Sequence, residues 1–205
     1  MLTLDEAVTQ LDASSAAKRR TAAKRLRALA DEAAGSPLLR ALQREMQDLG
    51  AWETQYQLIM AIGACGYQPA VPYLSELTQH RTEVPMVHTA VGDAIVRLRA
   101  PVEGIAVPLR WCLDSGNPSL ADGALRAVAM QRAVPDPATI DHILDFLIPL
   151  DAHDGLRFWP AAAAAGWPGN RVRAFLENCA AGPRPDIAEA AASSLKGKYR
   201  TYRPL

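Results

Sequence analysis

Apolar positions along this chain recur at intervals of three and four residues, in short blocks closed by glycine or proline. That is the pattern of amphipathic helices, and no stretch sustains the two-residue alternation of a strand. Thr3 and Glu6 have the spacing of a capping box, which predicts a helix over residues 4–11 with Leu4, Ala7, Val8 and Leu11 on one face. Helices over 15–29 and 37–49 follow. Ser36 precedes Pro37 as an N-cap, Leu38, Leu39, Leu42, Met46 and Leu49 form the apolar stripe, and Gly50 closes it. The next pair spans 52–65, ended by Gly66, and 69–79. A third covers 85–98 and 104–113, where Pro108 predicts a kink or a late start. A fourth begins after Asn117-Pro118, turns at Val134-Pro135-Asp136-Pro137, and continues through Ile140, Ile143, Leu144, Leu147 and Ile148. A fifth covers 156–165 and 171–179 across the breaking turn Gly166-Trp167-Pro168-Gly169. Asp186 and Glu189 have a capping spacing ahead of a last helix from Ile187 to about Lys196.

The blocks repeat. TAAKRLRALA (21–30), YQLIMAIGACG (56–66), HTAVGDAIVRLRA (88–100), DGALRAVAMQRAV (122–134) and FWPAAAAAGW (158–167) align as Ala-rich openings, each followed by an amphipathic helix. A period of roughly 30 to 36 residues marks a solenoid of stacked helical pairs. The predicted architecture is all-α: a cap helix within residues 1–14, five helical pairs and a closing helix over 15–196, and a basic tail over 197–205, in one domain. Solenoids of this kind are usually binding surfaces.

The openings RTAAKRLRAL (20–29) and QLIMAIGACG (57–66) resemble the first helix of HEAT repeats, in the bacterial short-repeat form related to phycobilisome-lyase repeats. YQPAVPYL (67–74) is similar to that family's turn into its second helix, and WETQYQ (52–57) also has the look of bacterial HEAT-repeat proteins. The resemblance covers nearly the whole chain and is strongest in the first two repeats. It implies a right-handed α-solenoid in which the second helices line the concave face. It brings no catalytic or ligand residues, because the repeat motif is a packing motif.

Twenty-two basic and 22 acidic residues cancel, so no global field draws the chain to nucleic acid or membrane. Cys65, Cys112 and Cys179 are odd in number, far apart and in apolar helical contexts, which speaks against a disulfide framework or zinc site and for a reducing compartment. A buried structural role is the reading for Cys65, ahead of a chromophore or acyl carrier. The N-terminus has no signal pattern and no apolar run reaches membrane-spanning length, so a cytoplasmic location is expected. No Gly-x-Ser-x-Gly, Walker loop, CxxC pair or HExxH occurs, and neither a cofactor nor a metal is expected.

Candidate contacts follow from exposure and chemistry. Trp52, Gln55 and Tyr56 crowd one helix start and would anchor an interface if exposed; otherwise Trp52 plugs a gap between pairs. Arg40, Arg44, Arg110, Asp114 and Asp145 lie at non-core positions of second helices, and their mixed signs suit a protein partner better than nucleic acid. The basic run Lys18, Arg19, Arg20, Lys24, Arg25 and Arg27 reads either as a phosphate-contacting cluster or as a broad solvated face. Lys196, Lys198, Tyr199, Arg200, Tyr202 and Arg203 interleave charge and aromatics, which suits single-stranded nucleic acid, a docking peptide or an ordinary tail leaving the stack. Asp141, Asp145, Asp151 and Asp154, with His142 and His153 nearby, read as a solvated acidic edge. Trp111 with Asp114, and Trp159 and Trp167 around the oligo-Ala block, resemble the cleft residues of alkylpurine DNA glycosylases; core tryptophans are the plainer reading. The expected function is a non-catalytic scaffold for a protein partner, of bacterial regulatory or immunity type. The alternatives are a nucleic-acid-binding helical-repeat protein and, behind it, a glycosylase.

Overall fold

Twelve α-helices and five 3-10 turns, with no strand, form the residues described by the computed structural model, 1–79 and 84–202. The helices are α1 Leu4–Gln10, α2 Ala16–Leu29, α3 Gly35–Glu45, α4 Trp52–Cys65, α5 Val71–Leu77, α6 Pro85–Glu103, α7 Ala106–Leu113, α8 Pro118–Met130, α9 Pro137–Leu147, α10 Phe158–Ala163, α11 Asn170–Ala180 and α12 Pro185–Ser194. Their ends follow local chemistry. The Thr3 hydroxyl accepts from the Glu6 backbone N–H while the Glu6 carboxylate accepts from the Thr3 N–H. Asn117 and Asp136 cap α8 and α9 through their side-chain oxygens, each ahead of a proline at the first helical position. Gly66 ends α4 at φ 70°.

Four boundaries depart from expectation. The helix placed at 37–49 starts at Gly35, straight out of a 3-10 turn, so Ser36 does not cap it and instead accepts from Arg40. It ends at Glu45, and the side chain of Leu49 lies outside the described residues. Helix α6 runs on through Pro101 to Glu103, because a proline this near the end removes one backbone bond and leaves the preceding turns intact. Helix α12 begins at Pro185, and Asp186 pairs with Arg184 rather than capping. Pro108 falls in the first turn of α7, where a proline is tolerated, so the late start is what occurs.

The helices form two rows, an α-solenoid. In the first row α2 packs on α4, α4 on α6, α6 on α8, α8 on α10 and α10 on α12. The second row is α1, α3, α5, α7, α9 and α11. Its helices touch their row neighbours sparsely, as at α7–α9 and α9–α11. Helix α3 packs on α4 far more than on α2, α5 on α6 more than on α4, and α11 on α12. For these helices the packed pair is a second-row helix with the first-row helix that follows it, whereas α7 packs on α6 and α8 alike and α9 touches its first-row neighbours only lightly.

Because the central first-row helices α4, α6 and α8 have neighbours on three sides, they are apolar nearly all round. Helices α4, α6 and α8 bury Leu58, Ile59, Ile62, Val91, Ile95, Leu125 and Val128 almost completely, each such side chain contributing about 1.5–3 kcal/mol. The tightest joint is α6–α8. A Cβ at Gly92 would fall far inside contact distance of the Leu120 carbonyl, and one at Gly123 inside that of the Thr89 carbonyl. This reciprocal glycine pair is what lets the two backbones touch.

All three cysteines are buried and free. Burial pushes the Cys65 thiol up to about 11 and the Cys112 thiol up to about 12, which leaves them as inert core groups. Among the described residues no helix is long and apolar enough to cross a membrane.

Candidate functional site

Side chains of the first row converge on one side. The Arg126 guanidinium of α8 donates to Met60 Sδ of α4 at 3.4 Å, across the intervening α6. With neighbouring helix axes about 8–10 Å apart, α4 and α8 in a flat row would stand near twice that distance. Extended Arg and Met side chains span that gap and so lie on one side of the row, and because the first-row helices pack more closely than the second-row ones, the first row is the inner one and lines the concave face. The expectation that second helices line it is corrected. The reason is the close α4–α6–α8 packing, set against a second row whose helices barely touch.

The floor of this face is a charge cluster. Asp93 is fully buried in the middle of α6; it accepts from Arg97 Nε at 2.5 Å, and Arg126 Nη1 stands 3.5 Å from its other oxygen. The Arg126 guanidinium also lies 5.9 Å over the Trp159 ring. Arg27 of α2 reaches the same region. Burial and then the Arg126 charge lower its pKa, Tyr56 and Asp93 oppose them, and Arg97 adds to the lowering. Arg97 and Arg126 thus share one buried carboxylate, with Arg27 near enough to feel both its charge and theirs.

Asp122, one turn before Arg126, has its carboxyl pushed up to about 6, first by burial and also by Asp154 and Asp93, against the pull of Arg126. Its folded pKa lies above the unfolded value, so the folded chain binds the extra proton between about pH 4 and 6 and stability falls as pH rises through that window. Asp122→Asn should flatten this slope in urea titrations and stabilise the protein at pH 7 by on the order of 2 kcal/mol.

Toward the other end of the face a groove of 610 Å³ opens between α2, α4 and α6, lined by Arg20, Lys24, Trp52, Glu53, Tyr56, Gln57 and Met86. Its chemistry comes from helical spacing. Arg20, Lys24 and Arg27 are four and three apart on α2, and Glu53, Tyr56, Gln57 and Met60 share a face of α4. Arg20 is paired with Glu53, whereas Lys24 is exposed at the rim. Trp52, 37% exposed, presents an apolar ring beside it.

The other sequence candidates are placed as follows. Gln55 is buried and is not a surface contact: its amide donates to the Glu45 and Asp48 carbonyls at 2.9 and 2.8 Å, closing the end of α3. Tyr56 is 3% exposed and meets the groove only at its wall. Arg40 and Arg44 are exposed on α3, the latter 2.5 Å from Asp12. Arg110 is exposed on α7, and Asp114 pairs with His142. Arg171 bridges Asp141 and Asp145. These residues lie along the second row, away from the groove.

The basic run is divided: Arg19 goes to Glu45 and the α1–α2 loop, Arg25 to the Leu2 carbonyl, and Lys18 stays exposed, while Arg20, Lys24 and Arg27 face inward. Trp111 lies half-buried under Arg99. Trp167 is core and donates to the Ala133 carbonyl. Residues 197–202 do not leave the stack. Tyr202 packs edge-on against Phe158 and Trp159, Arg132 covers Tyr199, and Arg200 pairs with Glu189; Arg203 lies outside the described residues. Asp93, Arg97, Asp122 and Arg126 were missed. The available signal was a charged residue at mid-helix in segments otherwise apolar all round.

Comparison with protein-family models and with curated proteins finds no match. Among solved structures the chain is similar to a designed armadillo repeat protein, at 16% identity over 95% of this chain and 99% of that one, with a TM-score of 0.46. The solenoid assignment rests on the two-row packing above.

Proposed function

We propose that this chain is a non-catalytic scaffold of HEAT-like repeats that holds a protein partner along the concave face of its first-row helices. The observation that supports it most is the α2–α4–α6 groove, where Trp52 and Met86 offer an apolar seat flanked by Lys24 and backed by the arginine cluster. An acidic segment carrying one bulky apolar side chain matches both features. The surface is preformed, so little ordering entropy is lost on binding. A cytoplasmic regulatory or immunity-type protein that occludes another protein is the setting we propose.

The test is a pull-down by tagged full-length protein from host lysate, split into nuclease-treated and untreated halves. A protein retained in both halves, and reduced at least about tenfold by Trp52→Ala or Lys24→Glu, is the expected result. Arg44→Glu and Asp145→Lys on the second row should change little; if they abolish retention instead, the partner sits on the outer row. The inward alignment of Arg20, Lys24 and Arg27 favours nucleic acid as the second reading, and recovery that vanishes with nuclease would select it.

A further inference from the structure

Away from the concave face, α9 and α11 enclose a cleft of 340 Å³. Its walls are apolar: Leu144 of α9, Phe175 and Ala174 of α11, and Ile148, which is 66% exposed at the rim. At its base lies Arg157, only 7% exposed. Every partner of that guanidinium is neutral. Nη1 donates to the Leu150 carbonyl at 3.2 Å, Nη2 to Asn178 Oδ1 at 2.6 Å and to Cys179 Sγ at 3.6 Å, and the group lies 5.5 Å over the Phe175 ring. Among the described residues no carboxylate forms an ion pair with it. The comparably buried Arg126 has Asp93. Buried charges are normally paired, so an arginine held only by neutral acceptors at the base of an apolar cleft is suited to take an anion.

We infer that this cleft binds a small monocarboxylate bearing a short apolar chain. The carboxylate meets Arg157 and the Asn178 amide, whose Nδ2 remains a donor while Oδ1 serves the arginine. The chain lies along Leu144 and Phe175 and emerges at Ile148. A single negative charge matches the single uncompensated guanidinium. A phosphate dianion would carry a second charge toward Asp141 and Asp145, which Arg171 already holds at the mouth. The volume lies at the lower end of small-molecule sites and suits a ligand of about ten non-hydrogen atoms.

Titration calorimetry of the full chain with octanoate, and with octanamide as its neutral counterpart, tests this. Octanoate should bind saturably, one per chain, with octanamide at least about tenfold weaker. Arg157→Met should abolish the preference for the acid. Because that change perturbs a buried contact, Ala174→Trp supplies an independent arm: the position is exposed on α11, the indole would fill the cleft with Arg157 intact, and octanoate binding should vanish while the thermal melt is kept. Asp145→Asn, which removes a negative charge at the mouth, should tighten octanoate a few-fold. Equal binding of acid and amide, binding that survives Ala174→Trp, or no saturation up to about 10 mM would each overturn the inference.

Discussion

Gly123→Ala is expected to lower the thermal midpoint by roughly 6–12 °C, from a loss of about 3 kcal/mol in a chain of this size. The sign is the informative part. In an ordinary helix interior the same change stabilises by about 0.5–1 kcal/mol. Here the new methyl would meet the Thr89 carbonyl and the Asp93 amide of α6, which are backbone atoms that cannot swing aside. Helices α6 and α8 must separate, and their shared interface with them. Gly92→Ala attacks the same joint from the other side, against Leu120 and Ala124. The double variant should lose less than the sum of the two, because one separation relieves both clashes. Gly66→Ala is the contrast: its φ of 70° is unfavourable for alanine, but nothing lies near the new methyl, so a loss of about 1–2 kcal/mol is expected. A neutral or stabilising Gly123→Ala, measured by thermal and urea unfolding, would mean that the two helices do not approach as described.

Asp93→Leu is expected to cost about 3–5 kcal/mol, the range for breaking a buried ion pair from one side. The leucine fills the volume but leaves Arg126, almost fully buried, with Met60, the Trp159 ring and the more distant charge of Asp122, and strips the partner from Arg97. The desolvation of Arg126 is then offset only in part, by Asp122. Replacing both ends, Asp93→Leu with Arg126→Met, should recover much of the loss, since two apolar groups of similar volume no longer bury a charge. The recovery separates a charge effect from a packing effect, and a double-mutant cycle in urea measures it. If the double variant is worse than Asp93→Leu alone, Arg126 contributes mainly by packing. Sulfate should partly rescue Asp93→Leu, because Arg97, the more exposed of the two arginines, would accept an anion in place of the lost carboxylate.

The helices themselves were largely legible, and the reasons are local. The capping box at Thr3 and Glu6, the caps at Asn117 and Asp136, and Gly66 after α4 act within a turn of their own positions, so a one-dimensional reading finds them. Which row faces inward was not legible. Curvature depends on how closely α6 and α8 approach at Gly92 and Gly123, a contact between residues about thirty apart that no helical period encodes. Gln55 shows the same limit on a smaller scale. A polar residue at a helix start reads as surface, and only the path of the α3–α4 connection turns its amide onto two carbonyls. Tyr202 could be read as charge-flanked and free because its aromatic partners, Phe158 and Trp159, lie more than forty residues upstream.

The packing phase of the helices has a consequence for how such an array can change length. The alignable openings suggest a module that begins with a first-row helix, but α3–α4, α5–α6 and α11–α12 hold together as bodies that begin with a second-row helix, at residues 35, 71 and 170. A duplication or deletion cut at those points carries an intact interface with it and makes new contacts only between like surfaces. One cut at the visible motif severs α3 from α4 or α5 from α6, and strands an apolar face on each side of the scar.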